Sequence, residues 1–335
     1  MRVAILGNGG FGTAMALTLE RAGHDVSLWG HNPEYTAEIA ATRQNPRYLA
    51  GVSLPASVRV GDDAGAALDG AGAVLVAVPT QHVRGVLTEM RGLLTGDAPV
   101  VSLAKGLEQS TGHRPSEILA EVLGSPERVY VLSGPSHAEE IAHGQPTTVV
   151  VAGDDSERLR GLQAALQTDR FRVYRNADLL GVELCGALKN VMALAAGIAD
   201  GLGYGDNAKA AILSRGIVEM QRYGLACGAD PQTFFGLAGV GDLAVTAFSK
   251  HGRNRAFGER IGRGETLKQA LASSPKVAEG VWTAKVVDAA SKQRGVEMPI
   301  AAAVAEVLYE ELAPEQAVRA LMERDPKAEG APADS

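Results

Sequence analysis

The stretch RVAILGNGGFGTAMALTLERA, residues 2–22, decides the fold of this chain. A short apolar run leads into three glycines at G-x-G-x-x-G spacing, Gly7, Gly9 and Gly12. A helical pattern over residues 12–22 follows them directly. The glycines allow a sharp turn and close approach of a pyrophosphate, and the amino end of the helix supplies amide groups and partial positive charge. The stretch therefore predicts a strand, turn and helix that bind a dinucleotide; the alternative is a structural turn in another α/β fold.

The remainder of the first half continues this alternation of short apolar strands and helices. Further strand patterns lie at residues 25–29, 72–79, 99–106, 128–135, 146–153 and 171–175, and helical patterns at residues 82–94 and 115–123 separate some of them. Near-continuous apolar strands with helices between them are typical of a largely parallel sheet covered on both faces. We therefore predict a Rossmann-like α/β domain.

The second half has a different character, with long segments rich in Ala, Leu and Gly and no convincing strand. Helical spacing occurs at residues 178–200, 208–227, 231–240, 266–272, 281–293 and 299–312. We predict a dinucleotide-binding domain over residues 1–178, an all-helical substrate and catalytic domain over residues 179–325, and a disordered tail over residues 326–335.

Composition excludes several classes of function. The formal net charge of -7 argues against nucleic acid as a partner, since proteins that bind it usually carry a basic face. The two cysteines, Cys185 and Cys227, lack the spacing of a zinc or disulfide framework and suit a reducing compartment. We expect no metal site. No signal peptide and no uninterrupted apolar stretch of about 18 residues is evident, so we expect a cytoplasmic protein with no membrane span.

The residues after the second strand should select the cofactor. An NAD site usually has Asp or Glu there for the ribose hydroxyls, whereas this chain reads LWGHNPE, with His31 and Asn32 and no acid until Glu34. No residue there repels a 2′-phosphate, and a protonated His31 could pair with one. However, no arginine is present there to bind the phosphate firmly. The sequence leaves both NADP and NAD open and favours NADP. In the alternative interpretation, His31 is a solvated loop residue.

A lysine in an apolar helix is the first candidate for chemistry. The segment CGALKNVMALAAGIAD, residues 185–200, contains Lys189 and Asn190, with Gly186 and Ala193 on the face of the lysine. These small residues leave room for a ligand, and a desolvated lysine has a lowered pKa suited to acid–base catalysis. The alternative is a lysine whose stem covers apolar surface, which is the commoner case for an isolated lysine.

Three other clusters favour the catalytic interpretation of this lysine. The first and second follow predicted strands, in LAKGL and SGPSHAEEI, and the third is GLAGVGDLAVTAFSKHGRN. Ligands of such sheets bind at the carboxyl ends of the strands, and arginine suits phosphate. Two lysines, an acid, an arginine and hydroxyls in one cleft predict a small phosphorylated carbonyl or alcohol as substrate. The candidate substrate-site residues are Lys105, Gly134, Ser136, Lys189, Asn190, Asp242, Thr246, Arg253 and Asn254.

Taken in order, these segments resemble bacterial NAD(P)-dependent glycerol-3-phosphate dehydrogenase. The matching blocks are GNGGFGTAMA, SLAKGLE, LSGPSHAEEIA, ELCGALKNVMALAAGI, GLAGVGDLAVT, RNRAFG and VAEGVWTA, which cover most of the chain. The resemblance implies hydride transfer between a nicotinamide and dihydroxyacetone phosphate, giving sn-glycerol 3-phosphate. It also implies a cytoplasmic homodimer that supplies glycerophospholipid synthesis.

The resemblance assigns roles to individual residues. It makes Lys189 the proton donor or acceptor at the reacting oxygen. Its substrate contacts are Lys105, Gly134, Ser136, Asp242, Arg253 and Asn254, and its cofactor contacts are Gly10, Phe11, His31, Lys105, Ala138, Arg253, Val277 and Glu279. The chemistry agrees, because Lys105 can stabilise charge on that oxygen and Asp242 is a candidate to hold Lys189 in place.

Two departures and two rivals stay open. The family often has arginine at the position of His31 and serine where this chain has Gly252. One rival is a β-hydroxyacid dehydrogenase of related architecture. In that family the lysine is usually followed by asparagine one helical turn later, whereas Asn190 is adjacent to the lysine here. That family also lacks the DLAVT and RNR blocks. The other is a non-catalytic NAD(P)-binding sensor, which would not need the lysines and acid together.

Overall fold

The computed structural model of the chain describes residues 1–154, 156–249, 252–273 and 278–326. Within these ranges the strands are β1 (Arg2–Leu6), β2 (Asp25–Trp29), β3 (Gln44–Asn45), β4 (Leu49–Ser53), β5 (Arg59–Gly61), β6 (Ala73–Val76), β7 (Val100–Ser102), β8 (Val129–Ser133), β9 (Thr147–Ala152) and β10 (Phe171–Asn176). The helices of the first half are α1 (Gly10–Arg21), α2 (Pro33–Thr42), α3 (Ala64–Leu68), α4 (Thr80–Met90), α5 (Pro115–Leu123), α6 (Ala138–Ala142) and α7 (Glu157–Leu166).

Eight strands form one sheet in the order β10-β9-β8-β7-β6-β1-β2-β5. Every neighbouring pair is parallel except β8 and β9, while β3 and β4 form a separate antiparallel pair. The predicted largely parallel, Rossmann-like sheet is confirmed. Strand β1 pairs with β2 on one side and β6 on the other, so the order reverses beside β1. The carboxyl ends of strands at such a reversal border the crevice where ligands of these sheets bind.

The described residues after Asn176 form helices and no strand, as predicted. The helices are α8 (Leu179–Gly201), α9 (Asp206–Cys227), α10 (Asp242–Phe248), α11 (Arg253–Gly262), α12 (Leu267–Ala272), α13 (Glu279–Arg294), α14 (Pro299–Tyr309) and α15 (Pro314–Met322). The continuous helix expected over residues 231–240 is wrong: a 3-10 turn, Pro231–Phe235, and a π turn, Leu237–Gly241, replace it. Gly236 separates the two with an extended backbone.

Helix α8 is the core of the second half. By length and hydropathy it is the one helix in the described part of the chain that could cross a membrane, but 83% of its apolar window is buried inside the protein. Helix α11 packs almost backbone to backbone against it, since a Cβ on Gly197 would lie 2.0 Å from the Arg255 carbonyl oxygen and a Cβ on Gly258 would lie 2.2 Å from that of Leu194. These glycines bring the amino end of α11 to α8.

The predicted domain division remains a prediction. Asp178 lies between β10 and α8 and caps the helix, because its Oδ1 accepts a hydrogen bond of 2.8 Å from Gly181 N. Val131 and Val150 of the sheet nevertheless share a buried cluster with Leu184 and Leu188 of α8, so the helix also packs on the sheet. The predicted tail lies outside the described residues from residue 327 onward.

Candidate active site

Two glycines of the glycine-rich turn pack against neighbouring backbone, and the third faces open space, because a Cβ on Gly9 would have no neighbouring atom within 4 Å. Gly7 has φ +116°, and a Cβ on it would lie 2.7 Å from the Ala77 carbonyl oxygen. A Cβ on Gly12 would lie 1.9 Å from the Gly7 carbonyl oxygen. Helix α1 begins at Gly10, two residues earlier than predicted, and no side chain caps its amino end at Gly9. The free amide groups and the positive end of the helix dipole suit a pyrophosphate, so these residues fit the dinucleotide expected from the sequence.

Two segments distant in sequence from the glycine-rich turn also contact it. A Cβ on Gly10 would lie 2.8 Å from the Tyr48 carbonyl oxygen and 3.7 Å from Cβ of Ala138, which begins α6. Phe11, Tyr48 and Ala138 all pack, half-buried, on the core of the first domain. Gly10 and Ala138, which the resemblance assigns to the cofactor, therefore lie side by side, and Phe11 packs on the same core. The structure adds Tyr48, which no sequence pattern singled out.

The end of β2 carries an exposed His31 whose ring meets Trp29 edge to face, with ring centroids 6.1 Å apart. Asn32 is used locally, because its Oδ1 accepts a hydrogen bond of 2.8 Å from Tyr35 N and so caps α2. An arginine that the sequence did not indicate lies nearby: the Arg47 guanidinium is 4.5 Å from the centre of the Tyr35 ring. Arg47 is exposed, so it is a candidate cation for the adenosine end of the cofactor.

Asp242 holds both candidate lysines. Lys105 Nζ donates to Asp242 Oδ2 at 2.7 Å, and Lys189 Nζ donates to Asp242 Oδ1 at 2.8 Å. The side chains of Lys189 and Asp242 are only 8% and 3% exposed, and that of Lys105 is 17% exposed. Sequence reasoning assigned Asp242 to Lys189 alone, but the carboxylate is shared. The three residues form the lysine–aspartate cluster.

Neighbouring oxygens complete the coordination of the two ammonium groups. Lys105 Nζ also donates to the Gly134 carbonyl oxygen at 2.9 Å and to Ser136 Oγ at 3.1 Å, both just after β8. Lys189 Nζ donates to Thr246 Oγ1 at 2.6 Å. The Thr246 hydroxyl in turn donates to the Asp242 carbonyl oxygen at 2.6 Å, one helical turn earlier in α10. Six of the predicted substrate-site residues are therefore joined by hydrogen bonds: Lys105, Gly134, Ser136, Lys189, Asp242 and Thr246.

The electrostatics of the cluster adjust Lys189 for proton transfer. Burial lowers the pKa of Lys189 to about 8, although the charge of Asp242 opposes the shift. Burial disfavours the ionised form of Asp242, yet Lys105 and Lys189 hold the pKa of that carboxyl below its usual value. Near neutrality Asp242 is therefore ionised, and Lys189 is an ammonium close to its titration range. A group whose pKa lies near the working pH is an efficient general acid or base.

The two predicted asparagines have fixed orientations. Asn190 Nδ2 donates to the Lys105 carbonyl oxygen at 2.7 Å and so ties the loop after β7 to α8. Asn254 Oδ1 accepts a hydrogen bond of 2.9 Å from Gly280 N, so its Nδ2 remains the group that can donate to a ligand. Arg253, the first residue of α11, is exposed and has no hydrogen-bond partner among the described residues.

The remaining predicted residues have mixed outcomes. Both carboxylate oxygens of Glu279 accept hydrogen bonds from Thr80, a residue that the sequence did not suggest. Val277 lies outside the described residues. A Cβ on Gly252 would lie 2.9 Å from the Thr246 carbonyl oxygen, so the loop would have to shift before a serine could occupy this position. Among the described residues no group of three His, Cys, Asp or Glu side chains could hold a metal ion.

Comparison with known proteins agrees with this geometry. A family model described as the NAD-dependent glycerol-3-phosphate dehydrogenase N-terminus matches residues 2–159, and the corresponding C-terminus model matches residues 178–319. A protein named glycerol-3-phosphate dehydrogenase [NAD(P)+] from Chlorobium phaeobacteroides (strain BS1) is 48% identical over 98% of this chain and 99% of its own length. A protein of the same name from Geobacillus kaustophilus (strain HTA426) is 49% identical over 98% of this chain and 96% of its own.

A solved structure agrees as well. The crystal structure of glycerol-3-phosphate dehydrogenase from Coxiella burnetii superposes with a TM-score of 0.91 at 39% identity, covering 96% of this chain and 99% of that one. The similarity therefore extends through both the sheet and the helical half. Together with the glycine-rich turn and the lysine–aspartate cluster, it shows that the chain belongs to the NAD-dependent glycerol-3-phosphate dehydrogenase family.

Proposed function

We propose that this protein reversibly reduces dihydroxyacetone phosphate to sn-glycerol 3-phosphate with NADPH or NADH. The observation that carries the proposal is the lysine–aspartate cluster, in which two lysines share one buried carboxylate at the carboxyl edge of the parallel sheet. Such a cluster can hold a carbonyl oxygen and move a proton to it in a water-poor site. The names of the relatives support the choice of substrate.

Lys189 acts as the general acid in the reduction. A nicotinamide cofactor held at the glycine-rich turn would supply the hydride for the ketone carbon, and the electron pair of the carbonyl π bond would then move to oxygen. Lys189 Nζ donates its proton to that oxygen and becomes a neutral amine, which solvent reprotonates. The lowered pKa of Lys189, about 8, makes this loss of a proton less costly than for an exposed lysine. In the reverse direction the neutral amine accepts the hydroxyl proton.

Lys105 and Asp242 prepare the site for that step. The Lys105 side chain lies beside the reacting oxygen, where its ammonium group stabilises the negative charge that develops. Asp242 fixes both ammonium groups through bonds of 2.7 Å and 2.8 Å, so little reorganisation is needed during the reaction. Two lysines and one carboxylate leave a net positive charge, which favours an anionic substrate.

Arg253 and Asn254 bind the substrate phosphate. They are the first two residues of α11, and no side chain caps the amino end of this ten-residue helix. Arg253 is close enough to Lys189 for its charge to lower the pKa of that lysine. Arg253 thus supplies a free guanidinium, Asn254 a free amide, and the helix its positive dipole end, all suited to a phosphate dianion. Their binding energy orients the carbonyl at the lysines.

Cofactor choice, assembly and location are finer parts of the proposal. The lack of an acid after β2 and the exposed Arg47 support acceptance of NADPH as well as NADH. The family resemblance supports a cytoplasmic homodimer that feeds glycerophospholipid synthesis. Light scattering of the purified protein and fractionation of cells test the dimer and the location.

The deciding experiment measures oxidation of NADPH and NADH with dihydroxyacetone phosphate over a concentration series. We expect turnover with at least one cofactor, and the ratio of kcat/KM values gives the preference. A panel that includes 3-oxoacids separates the β-hydroxyacid dehydrogenase alternative. Folded protein that binds nucleotide but turns over none of these substrates would support the sensor alternative.

A further inference from the structure

A contact between the two halves of the molecule surrounds Glu279. Thr80 N donates to Glu279 Oε1 at 2.9 Å, and Thr80 Oγ1 donates to Glu279 Oε2 at 2.6 Å. Thr80 is the first residue of α4, after β6, and is 0% exposed. Pro79 precedes it and has no side chain able to cap that helix, so the carboxylate from α13 takes the place of the missing cap. We call Thr80, Gly106 and Glu279 the Glu279 contact.

Gly106 completes this contact from the opposite side. A Cβ on Gly106 would lie 2.1 Å from Glu279 Oε2 and 2.9 Å from Thr80 Oγ1. Only glycine therefore leaves space for the carboxylate in this position. Gly106 directly follows Lys105 of the lysine–aspartate cluster, so any displacement of Glu279 or of the loop after β7 is transmitted to that lysine.

The residue after Glu279 reaches the proposed phosphate site. Gly280 N donates to Asn254 Oδ1 at 2.9 Å, and a Cβ on Gly280 would lie 2.6 Å from the Asn190 carbonyl oxygen. Asn190 in turn holds the Lys105 carbonyl oxygen through its side chain, at 2.7 Å. The amino end of α13 therefore lies in a closed series of contacts that includes the proposed phosphate ligand Asn254 and the loop of Lys105.

Burial strengthens the dependence of Glu279 on Thr80. Burial raises the pKa of Glu279, and the two hydrogen bonds from Thr80 oppose that shift. A buried carboxylate that loses a donor pays a desolvation penalty and tends to move or to take up a proton. The charge of Arg253 also lowers the pKa of Glu279.

We propose that Thr80 is a positioning residue for the reaction. It acts through Glu279 to keep Asn254 and Lys105 in their relative positions across the contact between the two halves. The inference rests on the proposed function for its substrate readout. It does not require Thr80 to touch substrate or cofactor, because both of its donors are used by Glu279.

The test compares Thr80→Val, Thr80→Ser and Thr88→Val with the wild-type enzyme. Thr80→Val removes the hydroxyl donor and keeps the branched shape, whereas Thr80→Ser keeps the donor. Thr88→Val is the matched control, because Thr88 lies exposed on the same helix and its hydroxyl only donates to the Arg84 carbonyl oxygen. We expect Thr80→Val to lower kcat/KM for dihydroxyacetone phosphate about tenfold, with Thr80→Ser and Thr88→Val within about twofold of wild type.

A double-mutant cycle with Glu279→Gln shows whether Thr80 acts through Glu279. We expect Thr80→Val to lower kcat/KM by less than about twofold further once Glu279 is glutamine, because the two residues form one unit. Additive losses, or a Thr80→Val enzyme with wild-type kcat/KM, would overturn the proposal. A lower Tm with unchanged kinetics well below Tm would also overturn it, since that result indicates a structural role alone.

Gly106→Ala provides an independent variant in case Thr80→Val folds poorly. It displaces the same carboxylate from the other side and keeps the Thr80 hydroxyl in the sequence, so we expect a similar loss of kcat/KM. Wild-type kinetics for Gly106→Ala would contradict the proposal. Circular dichroism and a thermal unfolding curve identify folded variants independently of substrate and cofactor binding. Absence of turnover in the wild type would instead count against the proposed function.

Discussion

The glycine-rich turn and the lysine–aspartate cluster are built in opposite ways. The turn is one contiguous hexapeptide, Gly7–Gly12, whose value lies in the backbone shape that its glycines allow. The cluster joins Lys105, Lys189 and Asp242, which lie on separate segments, and its value lies in charge balance inside a buried site. Binding of the dinucleotide therefore depends on backbone shape, whereas the chemical step depends on electrostatics. Substitutions in the two regions should therefore fail in different ways.

The largest effect should follow from Lys189→Ala. This change removes the proton donor, and general acid–base catalysis typically contributes about 10²–10⁴-fold to the rate. We expect kcat to fall by about 10³-fold while affinity for the reduced cofactor stays near wild type, because the glycine-rich turn is untouched. Steady-state kinetics and nucleotide fluorescence give the two numbers. An enzyme that keeps its activity without Lys189 would rule out the mechanism.

Asp242→Asn should produce the next largest effect and alter the pH profile. It leaves the buried Lys189 and the half-buried Lys105 without their shared anion, and breaking a buried pair typically costs about 3–5 kcal/mol of stability. We expect kcat to fall by about 10²-fold, because Lys105 and Lys189 lose their fixed positions. A thermal unfolding curve should accompany the kinetics to show how much folded protein remains.

The pH dependence gives the sign of the electrostatic effect. Reduction needs Lys189 protonated, so kcat for reduction should fall as pH rises through its pKa of about 8. The charge of Asp242 raises that pKa, so its removal should move the descending limb to lower pH. If the descending limb moves to higher pH or stays in place, Asp242 does not raise the pKa of the proton donor. For oxidation of glycerol 3-phosphate, kcat should instead rise as pH rises through the same pKa, because this direction needs the neutral amine of Lys189.

Gly12→Ala should affect the dinucleotide and leave the chemistry alone. Its Cβ would lie 1.9 Å from the Gly7 carbonyl oxygen, so the turn must open. We expect the dissociation constant of the reduced cofactor to rise about tenfold or more, since overpacking typically costs about 1–3 kcal/mol. The pH profile of kcat at saturating cofactor should match wild type. Gly85→Ala is a suitable control, because a Cβ at Gly85 has no atom within 4 Å.

The smallest effect concerns cofactor choice. Arg47→Ala removes the exposed guanidinium that stacks on Tyr35 near the end of β2. We expect the ratio of kcat/KM for NADPH over NADH to fall by about threefold to tenfold, since an exposed ion pair contributes only about 0.2–1 kcal/mol and a charged hydrogen bond somewhat more. An unchanged ratio would assign the 2′-phosphate to other groups.

Local sequence patterns were sufficient wherever one segment carries the whole signal. Strands β1, β2 and β6–β10, the glycine-rich turn and α8 followed from periodicity and from glycine spacing. Strands β3, β4 and β5 did not, because they are short or largely exposed and carry no continuous apolar run. The same approach was wrong for residues 231–240, because Gly236 has an extended backbone and Gly239 packs on Phe234 so closely that a Cβ would lie 1.9 Å from its carbonyl oxygen. Helical spacing in sequence does not reveal such a close approach. Helix α11 was missed because its amino end looks like a solvated basic loop.

The sequence by itself determined a parallel sheet with a dinucleotide turn, a helical second half and a set of residues suited to a phosphorylated carbonyl substrate. Tertiary structure alone decided that Asp242 is shared by two lysines, that Asn254 presents its amide, and that Glu279 bonds to Thr80. These contacts join residues far apart in the chain, so they depend on the order of strands and on the glycines that let α11 approach α8. Short-range patterns specify elements, and packing of those elements specifies which charges meet.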